Sequence, residues 1–354
     1  RIARVLDAWC PSEGYRGAHM GEIEPSIDKL LEGTSRSFYL TLSKLPSGVR
    51  KQIGLLYLLA RIADTIADSS EGTTEELLGT LKSYNDRAQG LSESMPDMTK
   101  LSESQSNPSE AILLLRSDEV VGLLSELPEA DRGIIRDCLA VIVSGQSLDL
   151  ERFGAGMGEG ITSLKNYDEL DDYAYRVAGS VGEFWTRITL EHQYRVDDDA
   201  ESALFEKGVR FGKALQLINI LRDIPEDLRL GRCYIPMDDL EDHGLAPEDL
   251  RNPENMDRFR DLFDCLLDKT AEHLDSAIEY IEMIPYSQFR LRAACMLPVI
   301  IAQRTMSLLR SNNVLDGGNR VKISRSEIRE ITRTVVLSIP SRRSCSRLLN
   351  PDRR

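Results

Sequence analysis

The chain has 354 residues and a formal net charge of −14, because 58 aspartates and glutamates outnumber 44 lysines and arginines. Its 41% hydrophobic and 29% charged residues are typical of a soluble globular protein, and its length suffices for one large core or two modest ones. The negative charge argues against nucleic acid as a partner, since the surface would repel its phosphates. An anionic substrate would need a cation or a local basic patch to bind.

The six cysteines are scattered along the chain, at Cys10, Cys138, Cys233, Cys265, Cys295 and Cys345. Without paired spacing they indicate neither a zinc site nor a disulfide framework, which favours a reducing, cytoplasmic environment. The longest apolar run near the C-terminus, residues 293–302, is too short to span a bilayer and contains Pro298. We therefore expect no secretory signal and no transmembrane anchor. Peripheral contact with a membrane, for product release, is compatible with the sequence.

Apolar residues recur at helical spacing along most of the chain. Helices are predicted over residues 49–68, 110–124, 130–150, 166–191, 202–221, 255–284 and 288–309. Alternating strand-like runs bounded by hairpin turns are missing from the sequence. These patterns together predict an all-α fold.

Two stretches depart from the helical pattern. Residues 69–108 are rich in Ser, Glu, Pro and Asn, so we expect them to be partly loop, and residues 231–253 contain several prolines. Neither stretch is long enough to require a domain boundary. We expect a single domain over residues 1–354, with a core at about 34–309 and a C-terminal tail at 310–354.

The first candidate site is an acidic pair at the end of the first predicted helix. Asp64 and Asp68 are four residues apart, so their carboxylates share one helix face, with about 5–6 Å between Cβ atoms. Two like charges repel there unless a cation lies between them, and carboxylate oxygens at this spacing suit Mg²⁺. A solvated acidic face is the common alternative. The apolar run LLYLLARIA just before the pair favours a buried face instead.

The second candidate site ends another apolar helical run, GKALQLINILRDIPEDLRLGRCYIP. Asp223 and Asp227 are again four residues apart, and Gln216 and Asn219 lie seven and four residues before Asp223, on the same helix face. Polar groups in register on a buried face are costly unless they bind something. Because Pro225 lacks an N–H group and disfavours a helical residue before it, we expect the helix to kink or restart there.

Together the two acidic pairs predict a diphosphate site. Two acid-bearing helices lying antiparallel in a helical bundle could hold several Mg²⁺ ions, which would stabilise a diphosphate as a leaving group. Arginines near the two motifs could clamp phosphate oxygens; they are Arg36, Arg61, Arg222 and Arg232. The predicted chemistry is ionisation of an allylic diphosphate in an apolar cavity that shields the carbocation from water.

Four stretches resemble the squalene/phytoene synthase family in order and spacing: SRSFYLTLSKLP, YLLARIADTIAD, YAYRVAGSVGEFW and ALQLINILRDIPEDLRLGRCYIP. The resemblance covers about residues 34–309. It implies the α-helical isoprenoid-synthase fold, here with a central apolar cavity, and head-to-head condensation of two prenyl diphosphates. The intermediate would be a cyclopropylcarbinyl diphosphate, which is presqualene diphosphate in the thirty-carbon branch.

By motif position, the resemblance implies roles for individual residues. The Mg²⁺ ligands would be Asp64, Asp68, Asn219, Asp223 and Asp227. The residues positioning diphosphate and metal would be Ser35, Arg36, Arg61, Gln216, Asn219 and Arg222, with Tyr57 lining the site. Tyr173 resembles the family tyrosine proposed for proton transfer during cyclopropane formation; as an alternative, it could be a packing residue with a satisfied hydroxyl.

Small residues follow Tyr173 in the same predicted helix. Val177, Ala178 and Gly179 would contact the prenyl chain, with Ala178, Gly179 and Gly182 making room for it. The alternative is that these small residues allow close helix packing. Because glycine destabilises a helix, its presence here indicates a packing or a functional reason.

The tail bears on the product. The stretch NRVKISRSEI resembles the VKI segment near the proposed NADPH site of squalene synthases, where Lys322 and Arg325 could meet a cofactor phosphate. Ser324 departs from the basic residue expected there, and a helix start capped by Ser324 or Ser326 explains the same residues. We favour condensation of two farnesyl diphosphates followed by NADPH reduction to squalene.

Other products and one other class stay open. A phytoene or dehydrosqualene synthase would lose a proton instead of taking a hydride, and a further variant would stop at presqualene diphosphate or release hydroxysqualene. Some relatives with this fold are non-catalytic assembly factors. Both acidic pairs are intact here, which counts against that last alternative.

Overall fold

The computed structural model describes residues 25–34, 42, 44–154 and 160–350, with the side chains of 25–27 left aside. Its α-helices are α1 (Pro25–Thr34), α2 (Ser47–Ala67), α3 (Thr74–Gln89), α4 (Thr99–Glu103), α5 (Pro108–Leu115), α6 (Ser117–Gly122), α7 (Glu129–Phe153), α8 (Tyr167–Ala174), α9 (Ser180–His192), α10 (Asp198–Arg222), α11 (Ile224–Arg229), α12 (Met237–Asp242), α13 (Met256–Met283), α14 (Phe289–Ser311), α15 (Arg325–Ser338) and α16 (Arg342–Leu349). A π-helical turn, Tyr175–Gly179, joins α8 to α9, and 3₁₀ turns span Leu123–Glu126, Pro247–Arg251 and Pro253–Asn255.

Strands are almost missing from the described ranges. The two-residue strands β1 (Thr162–Ser163) and β2 (Arg232–Cys233) pair in parallel, with Thr162 opposite Arg232. The predicted all-α fold is therefore confirmed, and each predicted helix has a counterpart in the structure. The helix predicted over 110–124 is divided into α5, α6 and a 3₁₀ turn, and that over 166–191 into α8, the π turn and α9.

The chain divides into two compact units. The first contains the described residues up to Glu151 together with Glu183–Asp198, and the second contains Arg152–Gly182 together with residues 199–350. The single domain expected from the sequence stays a prediction beside this division.

In the first unit, α2 is the central helix. It packs against α1, α3, α5 and α6, and it is buried on almost its whole circumference, as its apolar composition predicts. Helix α3 lies within the stretch expected to be partly loop. It begins with a capping box formed by Thr73 and Glu76 and ends at Gly90, whose φ of 76° suits a left-handed helix cap. These caps are the local signals that define α3.

In the second unit, α13 packs against α14, and α14 in turn packs against α15 and α16. The π turn and Gly182, in the first turn of α9, lie unusually close to α10. A Cβ atom on Gly182 would lie 1.8 Å from the carbonyl oxygen of Gly208, and one on Gly212 would lie 2.0 Å from that of Ala178. Gly182, together with Gly212 on α10, therefore allows close helix packing, one of the two explanations that the sequence offered.

Two negative findings accompany the fold. Across the described ranges, no helix is long and apolar enough to cross a membrane. The five cysteines in those ranges, Cys138, Cys233, Cys265, Cys295 and Cys345, form no disulfide with one another.

Candidate functional site

The first acidic pair straddles the C-terminal end of α2. Asp64 lies in the last turn and is 4% exposed, whereas Asp68 follows the helix and is exposed. The N–H of Asp68 donates to the carbonyl oxygen of Asp64 at 2.9 Å, so the backbone still fixes their spacing. The expectation that this face is buried is correct for Asp64. It is wrong for Asp68, which follows the last helical residue, Ala67, and is exposed although Ile66 and Ala67 before it are buried.

The buried carboxylate of Asp64 has a partner that the sequence analysis missed. Gln146, on α7, donates from Nε2 to Asp64 Oδ1 at 3.1 Å. Gln146 is 5% exposed, and its Oε1 has no hydrogen-bond partner among the described residues. A buried acceptor without a partner costs about 1–3 kcal/mol, so this amide fits a ligand beside Asp64. Its signal in the sequence is a glutamine within the apolar run of α7.

Two further predicted residues meet at the end of α1. Tyr57 Oη donates to the carbonyl oxygen of Thr34 at 3.1 Å, and Arg61 Nη2 donates to the same oxygen at 3.2 Å. Arg61 also lies 3.6 Å from Glu110. Thr34 directly precedes Ser35 and Arg36, which lie outside the described residues. Arg61 and Tyr57 are therefore held at the start of the SRSFY motif.

The second acidic pair lies where α10 gives way to α11. Helix α10 ends at Arg222, and α11 begins at Ile224 with Pro225 in its first turn, so the predicted restart at this proline is confirmed. Asp223 is 4% exposed and Asp227 is 6% exposed. The N–H of Asp227 donates to the carbonyl oxygen of Asp223 at 3.0 Å. Both carboxylates thus lie on a short, buried turn.

Asp223 is held by two arginines. Arg222 donates to Asp223 Oδ1 from Nε at 2.8 Å and to Oδ2 from Nη2 at 2.9 Å, and Arg320 donates to Oδ1 from Nη2 at 2.5 Å. Burial raises the pKa of Asp223, but the hydrogen bond and charge of Arg222, with the charge of Arg320, outweigh burial and lower this pKa below its ordinary value. Asp223 is therefore ionised at neutral pH. Arg320 is a second residue that the sequence analysis missed.

The polar residues predicted on the Asp223 face of α10 are buried. Gln216 is 3% exposed and Asn219 is 8% exposed. Gln216 Oε1 and Asn219 Nδ2 lack hydrogen-bond partners among the described residues. Because a rotation of 180° about its last bond exchanges the amide oxygen and nitrogen, either residue can present an oxygen or an N–H group at that position. Two orphaned amides one turn apart, next to an ionised carboxylate, fit a polar or ionic ligand.

The donor set suits Mg²⁺ rather than a soft metal. The acidic and amide oxygens near α10 come from Asn219, Asp223 and Asp227, and hard oxygen ligands are those that Mg²⁺ prefers. Within the part of the chain that the structure describes, no group of three or more Asp, Glu, His or Cys side chains is arranged to hold a metal by itself. A Mg²⁺ ion at either acidic motif would complete its coordination with water or with substrate oxygens, as is usual for Mg²⁺ bound by one or two carboxylates.

The third and fourth motifs meet in the second unit. Tyr173 is 2% exposed, and its ring stacks on that of Tyr234 with 5.0 Å between centroids. Tyr234 follows β2 and also contacts the edge of Phe153. The π turn that begins two residues after Tyr173 spans Val177, Ala178 and Gly179, and such turns occur frequently at functional sites. Contact of these three residues with a prenyl chain stays a prediction.

The tail residues predicted to meet a cofactor lie on the surface. Lys322 and Arg325 are exposed, and Arg325 is the first residue of α15. Ser324 caps this helix by accepting from the N–H of Glu327 at 3.2 Å. The helix-start explanation of this stretch is therefore confirmed, and a cofactor role for Lys322 and Arg325 stays a prediction.

Comparisons with known proteins identify the family of this chain. The sequence model of the family "Squalene/phytoene synthase" matches residues 31–327. The chain is 30% identical to a 15-cis-phytoene synthase of Synechocystis over 69% of this chain, and 24% identical to a squalene synthase of Schizosaccharomyces pombe over 80% of it. It spans only 64% and 59% of the lengths of those two relatives.

A solved structure supports the fold. The complex of TcSQS with the ligand E5700 superposes with a TM-score of 0.76 at 20% identity, covering 92% of this chain and 88% of that one. The helical isoprenoid-synthase fold implied by the sequence is thus confirmed. With a family match over most of its length, the chain belongs to the squalene/phytoene synthase family of prenyltransferases.

Proposed function

We propose that this protein condenses two farnesyl diphosphates head to head, through presqualene diphosphate, in a reaction that requires Mg²⁺. The observation that carries the proposal is the pairing of buried carboxylates with orphaned amides at both acidic motifs: Asp64 with Gln146, and Asp223 with Gln216 and Asn219. Bound Mg²⁺ would neutralise the diphosphate and make it a better leaving group. Family membership supports the reaction class.

The protein's own residues have distinct tasks in this reaction. The carboxylates of Asp64, Asp68, Asp223 and Asp227 and the amide of Asn219 supply metal ligands, while Gln216 orients the diphosphate. Arg61 and Arg222 bind diphosphate oxygens, for which the planar guanidinium is suited; Ser35 and Arg36 are proposed to join them, and Tyr57 lines the site. An apolar cavity, with Val177, Ala178 and Gly179 against the prenyl chain, keeps water from the carbocation.

Tyr173 is proposed to move the proton during cyclopropane formation. Its ring is buried and stacked on Tyr234, so its position is fixed by packing rather than by solvent. The π turn just after it widens the helix locally. Tyr173→Phe separates this role from a purely structural one, because it keeps the stacked ring and removes only the hydroxyl. Loss of activity with unchanged stability would support proton transfer, whereas full activity would indicate a packing residue.

The second step sets the product. We propose reduction of presqualene diphosphate to squalene, with NADPH bound near Lys322 and Arg325, whose exposure leaves both side chains accessible to a cofactor phosphate. The runner-up is proton loss in place of reduction, which gives dehydrosqualene from presqualene diphosphate, or phytoene when two geranylgeranyl diphosphates form the corresponding forty-carbon intermediate. The 30% identical phytoene synthase favours this alternative. Release of presqualene diphosphate or hydroxysqualene is a further alternative, and a non-catalytic assembly role would apply if no substrate is converted.

Product analysis tests this proposal directly. The purified chain is incubated with farnesyl diphosphate and Mg²⁺, with and without NADPH, and the extracts are analysed by mass spectrometry. We expect squalene only when NADPH is present. Dehydrosqualene, hydroxysqualene or accumulated presqualene diphosphate would retain the condensation and change the second step. Folded protein that leaves both farnesyl and geranylgeranyl diphosphate untouched would contradict the condensation itself.

We further propose a cytoplasmic protein that touches a membrane peripherally to release its hydrocarbon product. Residues 320–350 contain eight lysines and arginines but two acidic residues, in a chain that is acidic overall. Arg329 and Arg333 on α15 are exposed, and beside them Val336 is 61% and Leu337 is 69% exposed. Arginines next to exposed apolar side chains suit an anionic lipid surface.

Vesicle sedimentation tests the membrane contact. The double variant Val336→Asp/Leu337→Asp should lower the fraction bound to vesicles containing anionic phospholipid several-fold, because it removes apolar contact and adds repulsion. Leu91→Asp is the matched control, since Leu91 is 78% exposed in the other unit. Equal sedimentation of all three proteins would show that α15 is not the contact.

A further inference from the structure

A loop from the C-terminal part of the chain lies on the second acidic motif. This segment, 313–321, is anchored by buried Leu315 near one end and buried Val321 at the other. Between them Gly317 approaches α11 closely, since a Cβ atom on it would lie 3.2 Å from Cβ of Pro225. Asn313 fixes the start of the segment by donating to the carbonyl oxygen of Pro253 at 2.8 Å. The anchors hold Arg320 over the turn that carries Asp223.

The Arg320 guanidinium bridges two acids of that turn. Nη2 donates to Asp223 Oδ1 at 2.5 Å, and Nη1 lies 3.3 Å from Glu226 Oε1. Together with Arg222, it gives the Asp223 carboxylate three N–H donors and two positive charges. The Asp223 side chain is 5% exposed and that of Arg320 is 38% exposed. The Arg320 side chain is therefore accessible enough to move from the carboxylates to solvent or to a ligand. The Asp223 side chain is buried and stays in place.

Two guanidiniums on one carboxylate oppose the binding of a bare cation. Mg²⁺ would have to share Asp223 Oδ1 with Arg320 while lying within a few ångströms of its positive charge, and such repulsion is strong where water is scarce. A diphosphate changes this balance, because its oxygens offer the guanidinium a bidentate partner with more negative charge than a carboxylate.

We propose that Arg320 is a positioning residue that couples Mg²⁺ binding to diphosphate binding at the second acidic motif. It blocks Asp223 against Mg²⁺ alone and moves to the diphosphate when metal and diphosphate arrive together. The inference rests on the proposed function, because it takes the second motif to be a Mg²⁺–diphosphate site. Its consequence is that the motif loads metal with substrate rather than before it.

Titration calorimetry on the full chain tests the coupling. Mg²⁺ is titrated into wild type, Arg320→Gln, Arg320→Lys and the control Arg290→Gln, with and without saturating inorganic diphosphate. Arg290 is exposed, and its described contact is with the neighbouring Phe289 ring. Arg320→Gln should bind Mg²⁺ alone about tenfold tighter, and the gain in Mg²⁺ affinity given by diphosphate should shrink about tenfold. Arg320→Lys, which keeps the charge without the bridging fork, should be intermediate.

A double variant assigns the effect to Asp223. In Asp223→Asn the substitution Arg320→Gln should no longer tighten Mg²⁺ binding, since the two changes act on one contact. A merely structural Arg320 predicts the opposite sign: Arg320→Gln would bind Mg²⁺ no tighter than wild type and would unfold at a lower temperature, which would overturn the inference. If wild type and Arg320→Gln gain the same Mg²⁺ affinity from diphosphate while wild type converts farnesyl diphosphate, only the role of Arg320 is refuted. Wild type that binds no Mg²⁺ with diphosphate would overturn the proposed function as well.

Discussion

Replacing Asp64 with asparagine should lower the rate of prenyl diphosphate condensation by about 100- to 1000-fold, the usual cost of removing one group that stabilises transition-state charge. The amide oxygen of the new residue can still accept from Gln146, whose Nε2 lies 3.1 Å from Asp64 Oδ1. The buried hydrogen bond is therefore retained while the negative charge is lost. We expect the melting temperature to stay close to that of wild type.

The controls separate chemistry from folding. Asp68→Asn should reduce activity, because it removes the charge of a proposed metal ligand. It should leave stability unchanged, because Asp68 is exposed at the end of α2. Asp137→Asn is the matched surface change, since the Asp137 side chain is 76% exposed, and it should leave both properties unchanged. Steady-state rates with farnesyl diphosphate and thermal unfolding measure the two effects. Full activity in Asp64→Asn would contradict the proposed role of Asp64 as a metal ligand.

Helical spacing is what made much of the site predictable from the sequence. Gln216, Asn219 and Asp223 lie on one face of a helix because each is about one helical turn, 3.6 residues, from the next. The cost of burying polar groups then indicated a ligand, and the structure places Gln216 and Asn219 in the interior with orphaned atoms. Local rules of this kind need no knowledge of the tertiary fold.

The missed residues all depend on contacts between distant parts of the chain. Gln146 is 82 residues from Asp64, and Arg320 is 97 residues from Asp223. Neither contact leaves a periodic signal, so the sequence drew attention to Lys322 and Arg325 in the tail instead of Arg320. The exposure of Asp68 was missed for a different reason: a helix end is decided by tertiary packing and is poorly defined by apolar periodicity.

The close approach of α10 to the π turn gives a second large expected effect. Gly212→Ala should destabilise the fold by about 3 kcal/mol or more, the upper range for overpacking. A Cβ atom there would lie 2.0 Å from the carbonyl oxygen of Ala178 and 2.9 Å from Cα of Gly179. These are backbone atoms, so no side chain can rotate away and the two helical segments must separate. Urea denaturation monitored by circular dichroism measures the change.

Gly79→Ala is the matched control for this substitution. Gly79 is exposed within α3, and no atom lies within 4 Å of a Cβ built on it. The same chemical change should therefore stabilise the protein by about 0.5–1 kcal/mol, through helix propensity alone. Because Gln216 lies one turn beyond Gly212 on α10, Gly212→Ala should also reduce activity in the fraction that stays folded. Equal stability of the two variants would show that α10 can move away from Ala178 at no cost in free energy. The orphaned amides of Gln216 and Asn219 would then lie on a helix too mobile to hold a diphosphate in one place.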